Sequence, residues 1–483
     1  MQKYDIGLIG LAVMGQNLVL NMSDHGFSVA VYNRTVEEMN AFLAGGAQGR
    51  QIAGAESLEE FVSLLKTPRK IMFMIKAGKP IDLTIDALLP FLEKGDVIID
   101  GGNSYFKDSI RRHAHLAQKN IHFIGTGVSG GEIGARRGPS IMPGGSDGAW
   151  ELVKPILQAI SAKIDGDVPC CDWMGSDGAG HYVKMVHNGI EYGFMQLTAE
   201  AYFFMKEILH LSSHKMAEHF KGWNKGRLSS YLIEITGEIL TAKDTDGSPL
   251  VEKILDAAGQ KGTGRWTSES ALELGVPLTL ISESVFARAL SALKTERVNA
   301  QNLISGPAFS FNASKQETLQ DLESALFLSE IISYAQGFML FREAAKEYNW
   351  DLNFSTIANI WRNGCIIRSS LLKHIKVAFS NNPSLENLLV DPFFLKIAQD
   401  NISSLRRIIN ISVQAGVPIP AFSSALSFFD GYRSAVLPAN LTQAQRDYFG
   451  SHTYERTDKE RGKYFHTNWT GEGGNVTAST YEA

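Results

Sequence analysis

Four polar residues, Lys184, His187, Asn188 and Glu191, recur at i, i+3, i+4 and i+7 within Gly178-Ala-Gly-His-Tyr-Val-Lys-Met-Val-His-Asn-Gly-Ile-Glu-Tyr192. At about 100° per residue, an α-helix gathers them into roughly 100° of its circumference. Their neighbours Val183, Met185, Val186, Ile190, Phe194, Met195 and Leu197 are apolar. A lysine and a glutamate this far apart do not make the i,i+4 pair of a solvated helix face, and His, Asn and Gly are weak helix formers. Two readings stay open on spacing alone. One is a buried polar network joining two domains. The other is a base, an acid and two hydrogen-bonding groups on one rigid rod. The second requires Lys184 to lose its charge near neutrality, with its pKa lowered from about 10.4 towards 7–8 by desolvation or a nearby cation.

A second kind of chemistry is the holding of anions. The run Gly10, Leu11, Ala12, Val13, Met14, Gly15 follows an apolar strand and opens a helix. It is the G-x-G-x-x-G dinucleotide turn with a methyl group at the middle glycine, and the helix N-terminus behind it offers N–H donors to a pyrophosphate. A plain strand-to-helix turn is the competing reading. At the end of the next strand, where NAD enzymes carry an acidic residue for the ribose hydroxyls, stand Asn33, Arg34 and Thr35. A guanidinium suits a 2′-phosphate, so NADP is expected over NAD; Thr35 is also placed to cap a helix. Two further strand-end loops are positioned to reach the coenzyme, Ile75-Lys76-Ala77-Gly78 and Asp100-Gly-Gly-Asn103-Ser104. Gly125-Thr-Gly-Val-Ser129-Gly130-Gly131 reads as a loop whose amides and hydroxyl hold a carboxylate, or as a flexible turn.

The elements that must position these groups follow from periodicity. Apolar runs at Tyr4–Ile9, Val29–Tyr32, Ile71–Ile75 and Val97–Asp100, with shorter ones at Phe123–Ile124 and Ser140–Met142, alternate with amphipathic stretches. That alternation predicts a doubly wound α/β, Rossmann-like domain over residues 1–177. Helical periodicity over Gly178–Leu211, Pro249–Ala258, Ser282–Ile304, Leu319–Tyr348, Leu385–Ala415 and Ala421–Val436 predicts a large all-α domain over 178–437. Residues 438–483 form a polar tail whose Tyr448, Phe449, Tyr454, Tyr464, Phe465 and Trp469 argue that it packs on something. A net charge of −5 on 483 residues argues against a chain-wide attraction to nucleic acid or anionic membrane. No uninterrupted apolar run of membrane-spanning length is expected. Three cysteines make neither a disulfide framework nor a zinc pattern, and Met1 leads almost directly into a strand, so a cytoplasmic protein without a resident metal is expected.

Taken in order, these motifs resemble those of the 6-phosphogluconate dehydrogenases over essentially the whole chain. The resemblance extends to Ile99-Asp-Gly-Gly-Asn-Ser104, Gly127-Val-Ser-Gly-Gly131, Lys261-Gly-Thr-Gly264, Cys365-Ile-Ile-Arg-Ser369 and Gln445-Arg-Asp-Tyr-Phe-Gly-Ser-His-Thr-Tyr454. It implies a homodimer whose tail penetrates the neighbouring subunit. It implies Lys184 as general base and Glu191 as general acid in an oxidative decarboxylation yielding ribulose 5-phosphate. It assigns 6-phosphogluconate to Asn103, Ser129, Gly130, Gly131, His187, Asn188, Tyr192, Lys261 and Arg288, with Arg446 and His452 of the partner subunit. It assigns NADP to the 10–15 turn, Asn33–Thr35, Ile75, Lys76, Ala77 and Asn103. Three cations, Lys261, Arg288 and Arg446, suit a dianionic phosphate. The chain departs from the family pattern at Ile133, Arg265 and Asn363, none of which is an assigned contact. Two other readings are a simpler β-hydroxyacid dehydrogenase, against which the length, Glu191 and the tail speak, and a silent NADP-binding scaffold, against which Lys184 and Glu191 speak.

Overall fold

The computed structural model describes residues 3–260, 262–473 and 477–478. Strands β1 (Ile6–Ile9), β2 (Val29–Tyr32), β3 (Ile52–Gly54), β4 (Lys70–Phe73), β5 (Val97–Asp100), β6 (His122–Val128) and β7 (Ile141–Gly145) form one sheet in the order β3-β2-β1-β4-β5-β6-β7. All pairs are parallel except β6–β7. The central strands are apolar at nearly every position because both faces are covered. Leu8, Val31, Met72, Ile99 and Ile124 point into one layer with helices α1 (Val13–Asp24), α2 (Val36–Ala44), α6 (Gly131–Arg137) and α7 (Trp150–Ile160). Ile9, Ala30, Ile71, Phe73, Ile98 and Phe123 point into the other with α3 (Leu58–Ser63), α4 (Lys79–Leu88) and α5 (Phe106–Ala117). A short antiparallel pair, β8 (Lys163–Ile164) and β9 (Val168–Pro169), precedes the helical part.

That part comprises α8 (Ala179–Glu207), α9 (Ser213–Trp223), α10 (Tyr231–Ile239), α11 (Thr263–Glu273), α12 (Thr279–Ala292), α13 (Lys294–Gln301), α14 (Lys315–Glu347), α15 (Phe354–Ile360), α16 (Leu371–Asn381), α17 (Pro392–Ala415) and α18 (Pro420–Tyr432). Helix α14 is its axis, packed between α8 and α17. Local chemistry sets the ends of these long helices. The Ser314 and Asp391 side chains accept backbone N–H groups at the starts of α14 and α17, and Gly416 adopts a left-handed φ of 66° to end α17. By length and composition α14 is apolar enough to cross a membrane, but Glu330 interrupts its apolar run and 94% of its most apolar stretch is buried inside the protein.

Several other expectations need correction. Strand β3 has no signal in the sequence, because three residues at a sheet edge carry no period. The expected helix Pro249–Ala258 reduces to one 3₁₀ turn, Leu250–Lys253, followed by bends; its apolar residues Ile254 and Leu255 are exposed rather than packed. The glycine run from Gly125 is no loop until Ser129, since Gly125–Val128 complete β6. Thr35 sits at the N-cap of α2, but its side chain makes no capping bond.

One compact unit of the chain ends at Leu426, and a second begins at Ser427. The second holds α19 (Ala439–Gly450) and the hairpin of β10 (Tyr454–Glu455) and β11 (Tyr464–Phe465). Its organising group is Asp447, fully buried, whose carboxylate accepts the backbone N–H of Thr453 and Thr467 and the indole N–H of Trp469. Part of the aromatic content of the tail therefore packs on the tail itself.

Candidate active site

Helix α8 lies directly on the sheet. A Cβ on Gly180 would stand 2.2 Å from Gly125 O, and one on Gly127 would stand 2.3 Å from the Lys184 Cβ. These glycines permit backbone-to-backbone approach, so the base expected from sequence stands on strand β6. The polar face then assembles as its spacing predicts. Lys184 Nζ donates to Asn188 Oδ1 at 2.6 Å and lies 3.3 Å from His187 Nδ1. His187 Nε2 is 3.3 Å from Ser129 Oγ, and its Nδ1 is 3.8 Å from Glu191 Oε2. Lys184, His187 and Ser129 are buried, whereas the Glu191 side chain stays 21% exposed and accessible. Trp361 meets the imidazole edge-on at 5.5 Å and holds its plane.

Burial sets the proton affinities. It lowers the pKa of Lys184 below that of an ordinary lysine, with the Glu191 charge opposing. It raises Glu191 above an ordinary carboxyl, with Lys184 and Arg288 opposing. Burial and then the Lys184 charge push His187 well below its usual value, so this imidazole is neutral. A lysine drawn towards its free base and a carboxyl drawn towards its acid thus share one helix face.

Beyond Glu191, the Arg288 guanidinium of α12 stacks 3.5 Å from the centroid of the Tyr192 ring. The start of α11 crosses here too. A Cβ on Gly264 would meet the Tyr192 ring at 2.6 Å, and one on Gly189 would meet Thr267 at 2.7 Å. The Lys-Gly-Thr-Gly motif is thereby brought beside α8, although Lys261 itself lies outside the described residues. Gly130 and Gly131 have φ of 100° and 59°, and Gly130 rests on Gly364 O, which also accepts the Ser140 N–H at 2.7 Å. Arg446 and His452 belong to the second unit, where Arg446 Nη1 donates to Gln443 Oε1 at 3.0 Å. Trp361, Gly364 and Thr267 have no local signal in the sequence, since their roles depend on contacts across the fold.

The dinucleotide turn has the build of an anion cradle. Gly10 takes a φ of 103°, and a Cβ on Gly15 would stand 1.9 Å from Gly10 O. The first turn of α1 carries no side-chain cap and no acidic residue, which leaves its N–H groups to an anion. Leu11 N donates to Asn33 Oδ1 at 3.1 Å, and the Asn33 amide also donates to Thr35 O and Glu38 Oε2. Asn33 thus shapes the corner with its side chain. Arg34, Lys76 and Asn103 are exposed, and no ion pair engages Arg34 among the described residues. Nor do three or more His, Cys, Asp or Glu side chains gather as a metal site among them.

Residues 5–175 match the family model described as the NAD binding domain of 6-phosphogluconate dehydrogenase, and residues 180–469 match that of the 6-phosphogluconate dehydrogenase C-terminal domain. The chain is 58% identical over 485 residues to a decarboxylating 6-phosphogluconate dehydrogenase of Schizosaccharomyces pombe, covering 99% of each. It is 57% identical to that of Homo sapiens, covering 100% of each. Among solved structures it resembles the Plasmodium falciparum 6-phosphogluconate dehydrogenase, described in its apo form, with its cofactor NADP+ and with its substrate 6-phosphogluconate. That match has a TM-score of 0.93 at 46% identity and covers 96% of this chain and 100% of that one. Sheet and helical domain each fall within one of the two matched models, the relatives span both, and the chain belongs to the 6-phosphogluconate dehydrogenase family.

Proposed function

We propose that this chain catalyses the oxidative decarboxylation of 6-phospho-D-gluconate to D-ribulose 5-phosphate and CO2, with NADP as hydride acceptor. This is the reaction of the oxidative branch of the pentose phosphate pathway. The observation that carries the reading is the gathering of Lys184, His187, Asn188 and Glu191 on one face of α8 against Ser129, with burial drawing Lys184 and Glu191 each towards its neutral form. NADP, when bound at the 10–15 turn with Arg34 on its 2′-phosphate, supplies the acceptor for the hydride from C3. Neutral Lys184 takes the C3 hydroxyl proton. The resulting β-keto acid loses CO2 because its ketone accepts the electron pair, and the Lys184 ammonium donates to the oxygen that becomes negative. Glu191, whose proton affinity burial raises, then delivers a proton to C1 of the enediol. Ser129 to Gly131, His187 and Asn188 hold the carboxylate end. Tyr192, Lys261 and Arg288 hold the phosphate, with Arg446 and His452 of the partner subunit. The exposed Leu441, Tyr448 and Phe449 of the second unit support a tail that seats on another copy of the chain. The three cysteines are free and buried, which supports a cytoplasmic setting.

The test is reduced-nicotinamide absorbance with NADP and 6-phosphogluconate, with CO2 measured in parallel. Lys184→Ala loses both signals together. Glu191→Ala loses turnover and the exchange of the C1 proton of ribulose 5-phosphate in deuterated water. If that exchange persists at the unmodified rate, Glu191 is not the acid.

A further inference from the structure

Helix α5 carries one large buried cation that the reaction does not use. Arg112 is 1% exposed, and all three guanidinium nitrogens are engaged. Its Nε donates to Asp82 Oδ1 at 2.8 Å, in the first turn of α4. Its Nη2 donates to Gly78 O at 3.1 Å, at the end of the loop that follows β4. Its Nη1 reaches Asp100 Oδ2 at 3.4 Å, at the end of β5. Asp100 is itself fully buried, and its carboxylate accepts the Gly102 N–H at 3.0 Å and the Ser104 hydroxyl at 2.6 Å. Those two residues flank Asn103. The two loops lie against one another, since a Cβ on Gly102 would come within 3.3 Å of Ile75 O.

We propose that Arg112 is a positioning residue that locks the loop after β4 to the loop after β5, and so fixes Asn103 and Ile75–Ala77 as one surface for the coenzyme. The inference rests on the proposed placement of NADP across these strand ends. Stability alone is a weak reason for such a group, because a buried ion pair gains little over apolar side chains of equal volume. Geometry is a better one. A planar fork spreads its N–H donors over three nitrogens, wide enough to meet both loops and α4, whereas the three N–H donors of a lysine ammonium all leave one nitrogen. The charge is also balanced locally, for Arg111 and Arg112 face Asp82 and Asp100, with Arg111 Nη2 2.9 Å from Asp82 Oδ1 and Arg112 bridging the two carboxylates. The clamp stands behind the site and touches no reacting atom.

The experiment compares the full-length enzyme with Arg112→Lys and Asp82→Asn. It measures Kd for NADP by calorimetric titration, Kd for 6-phosphogluconate without coenzyme, and Tm. Arg112→Lys is expected to weaken NADP binding about tenfold or more, with a smaller loss for 6-phosphogluconate, which shares only Asn103 with the clamped surface. Asp82→Asn, which takes the charge and one of two acceptor oxygens from the arm at the partly exposed rim, is expected to weaken NADP binding in the same selective way by a smaller factor. Unchanged NADP affinity in a folded Arg112→Lys protein overturns the proposal, as does equal weakening of both ligands. If Arg112→Lys does not fold, Asp82→Asn decides: unchanged NADP affinity in it overturns the clamp. Failure of the unmodified enzyme to bind NADP at all would instead remove the coenzyme assignment on which the clamp rests.

Discussion

The folded-state pKa of Lys184 lies below its unfolded value of about 10.5. Between the two, the unfolded chain holds a proton that the folded chain does not, so stability at neutral pH is reduced and rises as pH climbs towards the unfolded value. Lys184→Met should therefore stabilise the inactive protein by about 1–2 kcal/mol near pH 7. Scanning calorimetry at pH 7 and again near pH 10 checks the sign, because the gain must shrink at the higher pH. In the active enzyme the same shift makes kcat/KM rise with pH through the Lys184 pKa, at a value lower than that of a free lysine. Arg34 gives a second expectation. Losing its charge-assisted bond should cost about 1.5–3 kcal/mol, tenfold or more in NADP affinity, with little change for NAD. Equal NADP-to-NAD preference in Arg34→Ala and the unmodified enzyme would sink that assignment. At this scale the sequence is highly legible where function is periodic, as along Lys184 to Glu191. It is silent at Arg288, Trp361 and Arg112, whose neighbours are distant in the chain.

Among the elements, the seat of α8 on β6 has the largest mechanical consequence. Gly127→Ala would put a methyl group 2.3 Å from the Lys184 Cβ, so strand or helix must move. A displacement of even about 1 Å at a reacting group costs on the order of a hundredfold in rate. Gly127→Ala is thus expected to lose most of kcat, and overpacking should lower stability by about 1–3 kcal/mol. Gly222→Ala, on a helix with nothing within 4 Å, is the control and should leave steady-state rates unaltered. The positions of the central strands and of the long helices are readable because both faces of the sheet and the long helix faces are apolar at fixed periods. The glycines of β6 read as a loop for a physical reason. Glycine marks flexibility in a turn and close approach in a strand, and composition alone does not separate the two. Short elements such as β3 and α15 lack enough residues to show a period, whereas α9 does show one in its buried Met216, Ala217, Phe220 and Trp223.

For the molecule as a whole, the tail is where assembly is tested. If Arg446 serves the partner's site, mixing Lys184→Ala with Arg446→Ala protein, each inactive, rebuilds one intact site in every mixed dimer. Random exchange of subunits should then restore about a quarter of full activity. Recovery of none after verified exchange means that the tail serves its own chain. The aromatics of the tail signal packing, but the sequence holds no indication that Asp447 gathers Trp469, Thr453 and Thr467 into a folded unit of its own, because a buried aspartate looks the same in sequence as a solvated one.

Lys184 and Glu191 occupy one short stretch of a single helix, while the proposed anion contacts, His187 and Asn188 apart, come from segments as distant as Ser129, Arg288 and Arg446. Chemistry and recognition are therefore inherited differently. A change of preferred acid can arise one substitution at a time, at sites scattered along the gene, without disturbing the proposed base or proton donor. The reactive stretch cannot be divided in that way, for its spacing is the helical repeat itself, and a single inserted residue would turn Glu191 away from Lys184. Descendants of such a chain are free to diverge in what they bind long before they diverge in what they do to it.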